Sequence, residues 1–324
     1  FKEREALRVA CRDVLELDDV ARTAAGLTAL AEATLEVAVQ ALAVQALASS
    51  VPLAVIALGR FGGAELSYAS DLDVLFVYDG EGPAEFAEAE RLATTLLRFV
   101  RGRTPAARIY DLDLDLRPEG RQGPLARSLG AFARYFEDWA QPWERLAMLR
   151  ARPVAGDPDV AERFMALLDL AMRRPARPEE VREIRRIKAR VERERIPPGE
   201  DPQFHLKLGR GSLSDVEFCA QLLQLQAGVA ATGTMTALDR LAEKAVLEER
   251  DRAALAEAYR FCERTRNRLY LVRGARGDSL PTDTVEVLRL TRSLGMTPGE
   301  LRESYRRVTR RSRAVVERLF YGRS

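Results

Sequence analysis

Paired aspartates stand at the start of a strand-like segment in the first half of the chain. Asp71 and Asp73 flank Leu72, and the residues from there to Val77 are mostly strand formers. Because side chains alternate across a strand, both carboxylates are expected on the same face. Two neighbouring carboxylates repel each other at neutral pH unless a cation lies between them. A magnesium ion held by oxygen ligands is the usual solution, so this segment predicts a metal site.

A second acidic segment, residues 110–117, alternates strictly between apolar and charged side chains. The alternation predicts a strand over the whole segment, with one buried face and one polar face. The buried face would carry Tyr110, Leu112, Leu114 and Leu116, and the polar face Asp111, Asp113, Asp115 and Arg117. A solvated sheet face without function gives the same pattern, and for an isolated pair of aspartates that explanation is the better one.

The order of three features favours the functional interpretation here. A short apolar segment, residues 53–58, predicts a buried strand that runs into the glycine turn 59–63. The paired aspartates and then the second acidic segment follow this turn. Two metal ions bridged by three carboxylates clamp the attacking and the leaving oxygen in phosphoryl or nucleotidyl transfer. The pattern therefore favours a nucleotidyl-transfer site.

The order of these motifs resembles the DNA polymerase β-like nucleotidyltransferase superfamily and, more narrowly, the glutamine synthetase adenylyltransferases. The first motif, residues 59–73, reads G-R-F-G-G-A-E-L-S-Y-A-S-D-L-D, and the second, residues 115–125, reads D-L-R-P-E-G-R-Q-G-P-L. Three later segments also resemble that family: residues 143–157, 184–188 and 207–218. The resemblance extends over nearly the whole chain, and its specificity lies in the combination of motifs.

The resemblance implies an α+β fold that is predominantly helical. A small mixed β-sheet of the polymerase β type, with a helical lead-in, would occupy residues 1–155. A helical bundle that binds the protein substrate or a regulator would occupy residues 156–324. Periodicity agrees, because it predicts helices near residues 1–48, 83–101, 128–136, 157–173, 179–195, 214–226, 236–247, 251–273 and 301–320.

The implied activity is transfer of AMP from ATP to a tyrosine hydroxyl of glutamine synthetase, which lowers the activity of that enzyme in nitrogen control. The implied cofactor is Mg²⁺, as two ions held by Asp71, Asp73 and Asp113, and ATP is the substrate. Asp115 stands where many relatives have an arginine, so it is an alternative third ligand, although the motif favours Asp113. The P-II nitrogen signal protein is a candidate second partner.

The residues expected to contact the nucleotide fall in three segments. They are Gly59, Arg60, Gly62, Gly63 and Ser70 in the first motif, Arg117 and Arg121 in the second, and Lys207, Gly209 and Gly211 in the third. Arginine suits bidentate contact with phosphate, but pairing of both arginines with Asp115 or Glu119 explains them equally well. A glycine-rich turn before a helix is a natural anion site, to which Lys207 would add a charge. Ser212 replaces a glycine that is usual in the family.

The family is bifunctional, with one half that adenylylates and one that removes AMP by phosphorolysis, and this chain carries one set of motifs. Its ending, from Tyr305 to Tyr321, resembles the C-terminal, adenylylating half. The deadenylylating half, and a non-catalytic regulatory copy of the fold, are the alternatives. Three intact carboxylates argue against a non-catalytic copy.

Composition narrows the classes of function. The net charge of +2, without a basic stripe interleaved with aromatics, disfavours a nucleic-acid partner. Three widely spaced cysteines indicate neither a disulfide framework nor a zinc site, and a single histidine, His205, excludes a histidine-based catalytic centre. The apolar region from 37 to 58 is too interrupted for a membrane span, so a cytoplasmic protein is expected. Phe1, in place of an initiator methionine, suggests a fragment.

Overall fold

The computed structural model describes residues 1–45, 51–104, 107–138, 141–172, 174–198 and 200–323. Contacts group these residues into two units. Unit 1 comprises Phe1–Val9, Ala24–Leu66 and Ser70–Arg174; unit 2 comprises Ala10–Thr23, Ser67–Ala69 and Pro175–Ser324. The domain boundary predicted after residue 155 stays a prediction.

Unit 1 contains a five-stranded mixed sheet. The strands are β1 (Leu53–Ala57), β2 (Leu72–Tyr78), β3 (Leu112–Asp113), β4 (Ala126–Ser128) and β5 (Arg152–Gly156). The order is β3-β2-β1-β5, and β4 also pairs with β2. β1 is antiparallel to β2 and β5, whereas β3 and β4 run parallel to β2. The mixed sheet and the helices around it confirm the predicted α+β class, predominantly helical.

Seven described α-helices lie between residues 1 and 172. They are α1 (Lys2–Val14), α2 (Val20–Gln45), α3 (Gly59–Gly62), α4 (Pro83–Arg101), α5 (Leu129–Asp138), α6 (Pro142–Met148) and α7 (Pro158–Met172). α4 coincides with its predicted segment. It begins with a proline in its first turn and ends with Arg98 and Arg101, and its buried residues Ala89, Ala93, Leu96 and Val100 recur at helical spacing.

One face of the sheet forms an apolar core with α5 and α7. Ile56 of β1 and Leu75 of β2 lie in this core with Phe132 of α5 and Phe164 of α7, all at most 1% exposed. The two phenylalanine rings meet edge to face, with centroids 4.9 Å apart. Each such side chain contributes roughly 1.5–3 kcal/mol by leaving water. By alternation along β2, Asp73 lies on the same face as Leu75, at the beginning of the strand.

The second acidic strand is much shorter than predicted, and this prediction was wrong. Of residues 110–117 only Leu112 and Asp113 are in a strand, and turns follow from Asp115. The cause is local, because Asp113 Oδ1 accepts a hydrogen bond from the backbone N–H of Asp115 at 2.7 Å. An aspartate that bonds the backbone two residues further on replaces extended structure by a turn.

The described residues of unit 2 form helices joined by loops, and they contain no strand beyond an isolated bridge between His205 and Ser279. Its helices are α8 (Pro178–Glu194), α9 (Leu213–Ala227), α10 (Thr234–Glu243), α11 (Glu249–Arg273), α12 (Thr284–Leu294) and α13 (Pro298–Leu319). α11 packs against α9, α10, α12 and α13 and forms the centre of the bundle. All of these helices except α12 were predicted from the sequence.

One described helix is long and apolar enough to cross a membrane by length and composition: residues Val20–Leu42 of α2. This is not the segment 37–58 considered from the sequence, of which residues 46–50 lie outside the described residues. In unit 1 the helix contributes the fully buried Leu35 to the core, and Glu32 pairs with Arg152 of β5 at 2.5 Å. These contacts are typical of a core helix.

Candidate active site

Two of the predicted carboxylates are direct neighbours in the sheet. Asp73 of β2 lies opposite Asp113 of β3 in the parallel register, and Leu72 lies opposite Leu112. Residues that oppose each other on adjacent strands point to the same face, and the strands are about 4.8 Å apart. The two carboxylates therefore lie side by side, and both residues are partly exposed. Asp71 immediately precedes β2 and is also partly exposed.

The predicted glycine turn is a single helical turn, α3, whose backbone lies against the carboxylate of Asp73. Gly59 adopts a left-handed conformation, with φ of +51°, and a Cβ atom on it would be 2.2 Å from Asp73 Oδ2. A hydrogen bond of 2.9 Å from the N–H of Leu58 to the carbonyl of Asp73 joins β1 to β2 at this point. The turn and the carboxylate are thus held in contact.

Two arginines at the beginning of β5 fix the position of α3. Arg150 donates to the Gly59 carbonyl at 3.3 Å and forms a buried ion pair with Glu65 at 2.8 Å. Arg152 donates to the carbonyls of Phe61 and Gly62, both at 3.1 Å. These guanidinium groups are additional donors to the carbonyls of the short helix, since the Gly59 and Phe61 carbonyls also accept the backbone N–H groups of Gly63 and Ala64. This supporting role of the two arginines was not predicted from the sequence.

The remaining glycines of the turn are constrained by backbone. A Cβ atom on Gly62 would be 1.9 Å from the carbonyl oxygen of Arg150, so no larger residue fits without a backbone shift. Gly63 donates to the Gly59 carbonyl at 3.1 Å. Arg60 and Ser70 are half-buried at either end of the segment. All the residues predicted from the first motif therefore belong to unit 1, with Asp73 and Asp113.

The carboxylates have donor chemistry that suits magnesium, a hard cation that prefers oxygen ligands. Within the described residues, no three acidic, histidine or cysteine side chains converge closely enough to hold a metal by themselves. Magnesium in nucleotide-handling sites is usually held by one or two carboxylates, with substrate phosphates completing the shell. The pair formed by Asp73 and Asp113 fits that arrangement.

The loop after β3 contains Arg117 and Arg121, the two arginines predicted to contact phosphate, and their surroundings differ. Arg117 is 9% exposed and donates to the carbonyls of Leu114 and Gly123, which stabilises the loop. Arg121 is exposed and forms a bidentate pair with Asp115, with contacts of 2.8–3.0 Å. The pairing alternative considered from the sequence thus describes Arg121, while a contact with ATP stays a prediction for both arginines.

The glycine-rich segment 207–212 lies in unit 2, where its amide groups have internal acceptors. Lys207 and Leu208 donate to His205 Nδ1 at 3.2 and 3.0 Å, and Gly211 donates to the carboxylate of Asp215 at 2.6 Å. A Cβ atom on Gly211 would be 1.9 Å from the carbonyl oxygen of Thr309, so this glycine permits close packing on α13. The expected nucleotide contacts of Lys207, Gly209 and Gly211 stay a prediction.

Asp215 is the centre of a buried ion network that the sequence did not reveal. It is fully buried, and it pairs with Lys188 Nζ at 2.6 Å and with Arg313 at 2.8 Å. Glu192 contacts the same two cations, at 2.9 and 3.1 Å. Burial alone would raise the pKa of Glu192, but Lys188 and Arg313 overcome that effect and lower it to about 2. The network joins α8, α9 and α13.

Comparisons with known proteins agree with the motifs. The family model described as glutamate-ammonia ligase adenylyltransferase matches residues 1–167, and the model described as GlnD PII-uridylyltransferase matches residues 182–322. The chain is 41% identical to the bifunctional glutamine synthetase adenylyltransferase/adenylyl-removing enzyme of Streptomyces avermitilis, over 99% of this chain and 35% of that protein. Proteins of the same name from Mycobacterium tuberculosis and Mycobacterium leprae are 40% and 41% identical, over 99% of this chain and 34% of theirs. The chain spans about a third of the length of these relatives.

Proposed function

Since the chain belongs to the glutamate-ammonia ligase adenylyltransferase family, as its motifs predicted, we propose that it transfers AMP from ATP to a tyrosine hydroxyl of glutamine synthetase and so lowers the activity of that enzyme. The observation that carries the proposal is the side-by-side placement of Asp73 and Asp113 next to the Gly59 turn. The resemblance of the end of the chain to the C-terminal half supports the adenylylating direction.

Asp71, Asp73 and Asp113 would hold magnesium, as two ions, in this site. When bound, magnesium neutralises charge on the triphosphate and lowers the pKa of the attacking hydroxyl. The fit is supported by Asp73 and Asp113, which supply adjacent oxygen ligands from the sheet, and substrate phosphates would complete the shell.

In the proposed reaction the tyrosine oxygen forms a bond to the α-phosphorus of ATP. The bond from that phosphorus to the bridging oxygen of the β-phosphate breaks, pyrophosphate leaves, and the hydroxyl proton passes to solvent. The protein's main contribution is positioning. The turn of Gly59, Arg60, Gly62 and Gly63, with Ser70, would bind the triphosphate beside Asp73, and the exposed Arg121 would exchange Asp115 for a phosphate.

The test is transfer of label from α-labelled ATP, with magnesium, to purified glutamine synthetase. We expect Asp73→Asn to lower the transfer rate at least about a hundredfold, since metal-assisted charge stabilisation is worth several kcal/mol. Asp79→Asn is the matched control. Asp79 directly follows β2 and pairs with Arg163 on the surface, so the control should retain activity.

The other outcomes distinguish the alternatives. If no label is transferred, but phosphate releases ADP from pre-adenylylated glutamine synthetase, the chain is the deadenylylating half. If a folded chain shows neither activity, the enzyme assignment is overturned in favour of a regulatory copy. Control by the P-II signal protein and a cytoplasmic location stay predictions.

A further inference from the structure

Besides the Asp215 network, unit 2 contains a groove lined by arginines. α8, α13 and the segment 202–210 enclose a cavity of about 910 Å³. Its lining includes six arginines, which we call the arginine groove: Arg193, Arg210, Arg306, Arg310, Arg313 and Arg323. Among the described residues, Glu192 is the one carboxylate in this lining.

Three of these arginines are neutralised by nearby acids. Arg313 pairs with Glu192 and Asp215, and Arg323 contacts Glu317 at 3.3 Å. Arg193 contacts the neighbouring Glu194 at 3.4 Å. The negative charge of Glu192 is itself already shared between Lys188 and Arg313. Glu192 therefore does not balance the other charges of the groove.

The other three arginines keep an uncompensated charge. In the described part of the chain no carboxylate lies within ion-pair distance of Arg210, Arg306 or Arg310. The guanidinium carbon of Arg306 lies over the ring of Phe204, 5.0 Å from the ring centroid. Arg306, Arg310 and Arg313 are spaced by four and then three residues along α13, which puts them on one helix face. A concave surface lined by one sign of charge concentrates ions of the opposite sign.

We propose that the arginine groove, whose lining includes Gly209, binds a phosphate-bearing small molecule of nucleotide size without help from the carboxylates Asp71, Asp73 and Asp113. The planar guanidinium group forms paired hydrogen bonds with phosphate oxygens, so Arg210, Arg306 and Arg310 together would contact successive phosphates. The cavity volume is typical of small-molecule sites and exceeds the needs of a single phosphate. The proposal does not depend on the proposed adenylyl transfer.

The test is calorimetric titration of the whole chain with sodium tripolyphosphate in the presence of EDTA, which removes the metal that the carboxylate site would require. Arg306→Ala/Arg310→Ala should weaken binding at least about tenfold, because two charge-assisted contacts are lost. Arg307→Ala/Arg311→Ala is the matched control. It removes the same charge from the same helix, but these arginines pair with Glu257, so binding should change less than about twofold.

Two results would overturn the proposal: absence of tripolyphosphate binding to the unaltered chain, or equal weakening by both double variants, which would mean only a general effect of charge. If the alanine variant does not fold, Arg306→Lys/Arg310→Lys replaces it, and loss of affinity at constant charge supports recognition by the guanidinium fork. ADP identifies the source of the phosphates. Binding of ADP at the same site, tighter than tripolyphosphate, indicates a nucleotide, whereas weaker binding indicates a ligand recognised by phosphates alone.

Discussion

Gly59 and Asp73 restrict each other at the scale of single residues. The left-handed backbone of Gly59 brings its Cα against the Asp73 carboxylate, where a Cβ atom would lie 2.2 Å from Oδ2. The hydrogen bond from the N–H of Leu58 to the Asp73 carbonyl joins the two chain segments, and Arg150 holds the Gly59 carbonyl. A side chain at residue 59 must therefore displace the carboxylate.

We predict that Gly59→Ala lowers adenylyl transfer at least about tenfold and destabilises the chain by more than the roughly 1–2 kcal/mol expected of a left-handed alanine. Gly228→Ala is the control, because Gly228 has a similar φ of +61° and a Cβ atom on it would have no other atom within 4 Å. It should show the backbone cost alone and retain activity. Urea denaturation and label transfer measure the two effects; equal activity of both variants would contradict the prediction.

At the scale of elements, local apolar patterns were sufficient where burial alone decides the structure. β1, β2, α4 and α9 were predicted to within a few residues. The two strands are short apolar runs of strand formers, and α4 has buried apolar residues at helical spacing. β3 was not, since the hydrogen bond from the Asp115 amide to Asp113 ends it after two residues. An alternating sequence does not reveal whether one of its aspartates will turn back onto the backbone.

The glycine-rich segment shows a second limit of sequence reasoning. Glycines before a helix predict an anion cradle, but the same residues also permit a backbone to pack closely. Which of the two applies depends on distant residues, here Thr309 against Gly211 and Lys188 with Arg313 around Asp215. The adjacency of Asp73 and Asp113 is similar, because the order of the motifs indicated shared metal binding but not the strand register that places the two residues opposite each other.

His205 organises this segment by accepting two of its amide groups, and its titration should be measurable. Burial lowers the pKa of His205, although Asp278 and Glu200 partly oppose the effect. Below pH about 6.5, His205 therefore binds a proton in the unfolded chain more readily than in the folded chain. The free energy of unfolding is consequently highest above that pH and falls as the pH decreases. The slope from this residue is at most about 1.4 kcal/mol per pH unit.

We predict that His205→Asn, which keeps an acceptor but does not titrate, shows a weaker loss of stability than the unaltered chain between pH 6.5 and 5.5. Urea midpoints at pH 7.5, 6.5 and 5.5 give the comparison. Since His205 is the chain's only histidine, other groups that titrate in this range contribute equally to both proteins. Parallel pH curves would show that His205 is protonated equally in the folded and unfolded states.

At the scale of the whole molecule, the two units are not consecutive halves of the chain. Unit 2 recruits residues 10–23 from the N-terminal region, and with them the partner of its most deeply buried arginine. Arg268 of α11 is 2% exposed; it contacts Asp13 Oδ1 at 3.0 Å and donates to the Ser293 carbonyl at 2.9 Å. Tyr68 also donates to the Asp13 carboxylate at 3.0 Å. The bundle therefore depends on a segment far from it in sequence.

A fragment of residues 175–324 should consequently be unstable, because removing the partner of a buried charge costs about 3–5 kcal/mol. We expect Arg268→Met to stabilise this fragment, since it removes the uncompensated charge, although the same substitution should destabilise the whole chain. A peptide of residues 10–23 should restore stability to the unsubstituted fragment, and the peptide with Asp13→Asn should do so less. Circular dichroism during urea denaturation measures each case. The prediction is contradicted if the fragment is equally stable with Arg268 and with methionine and neither peptide changes its stability. Water or another group would then satisfy the guanidinium, and the bundle would fold independently of the N-terminal segment.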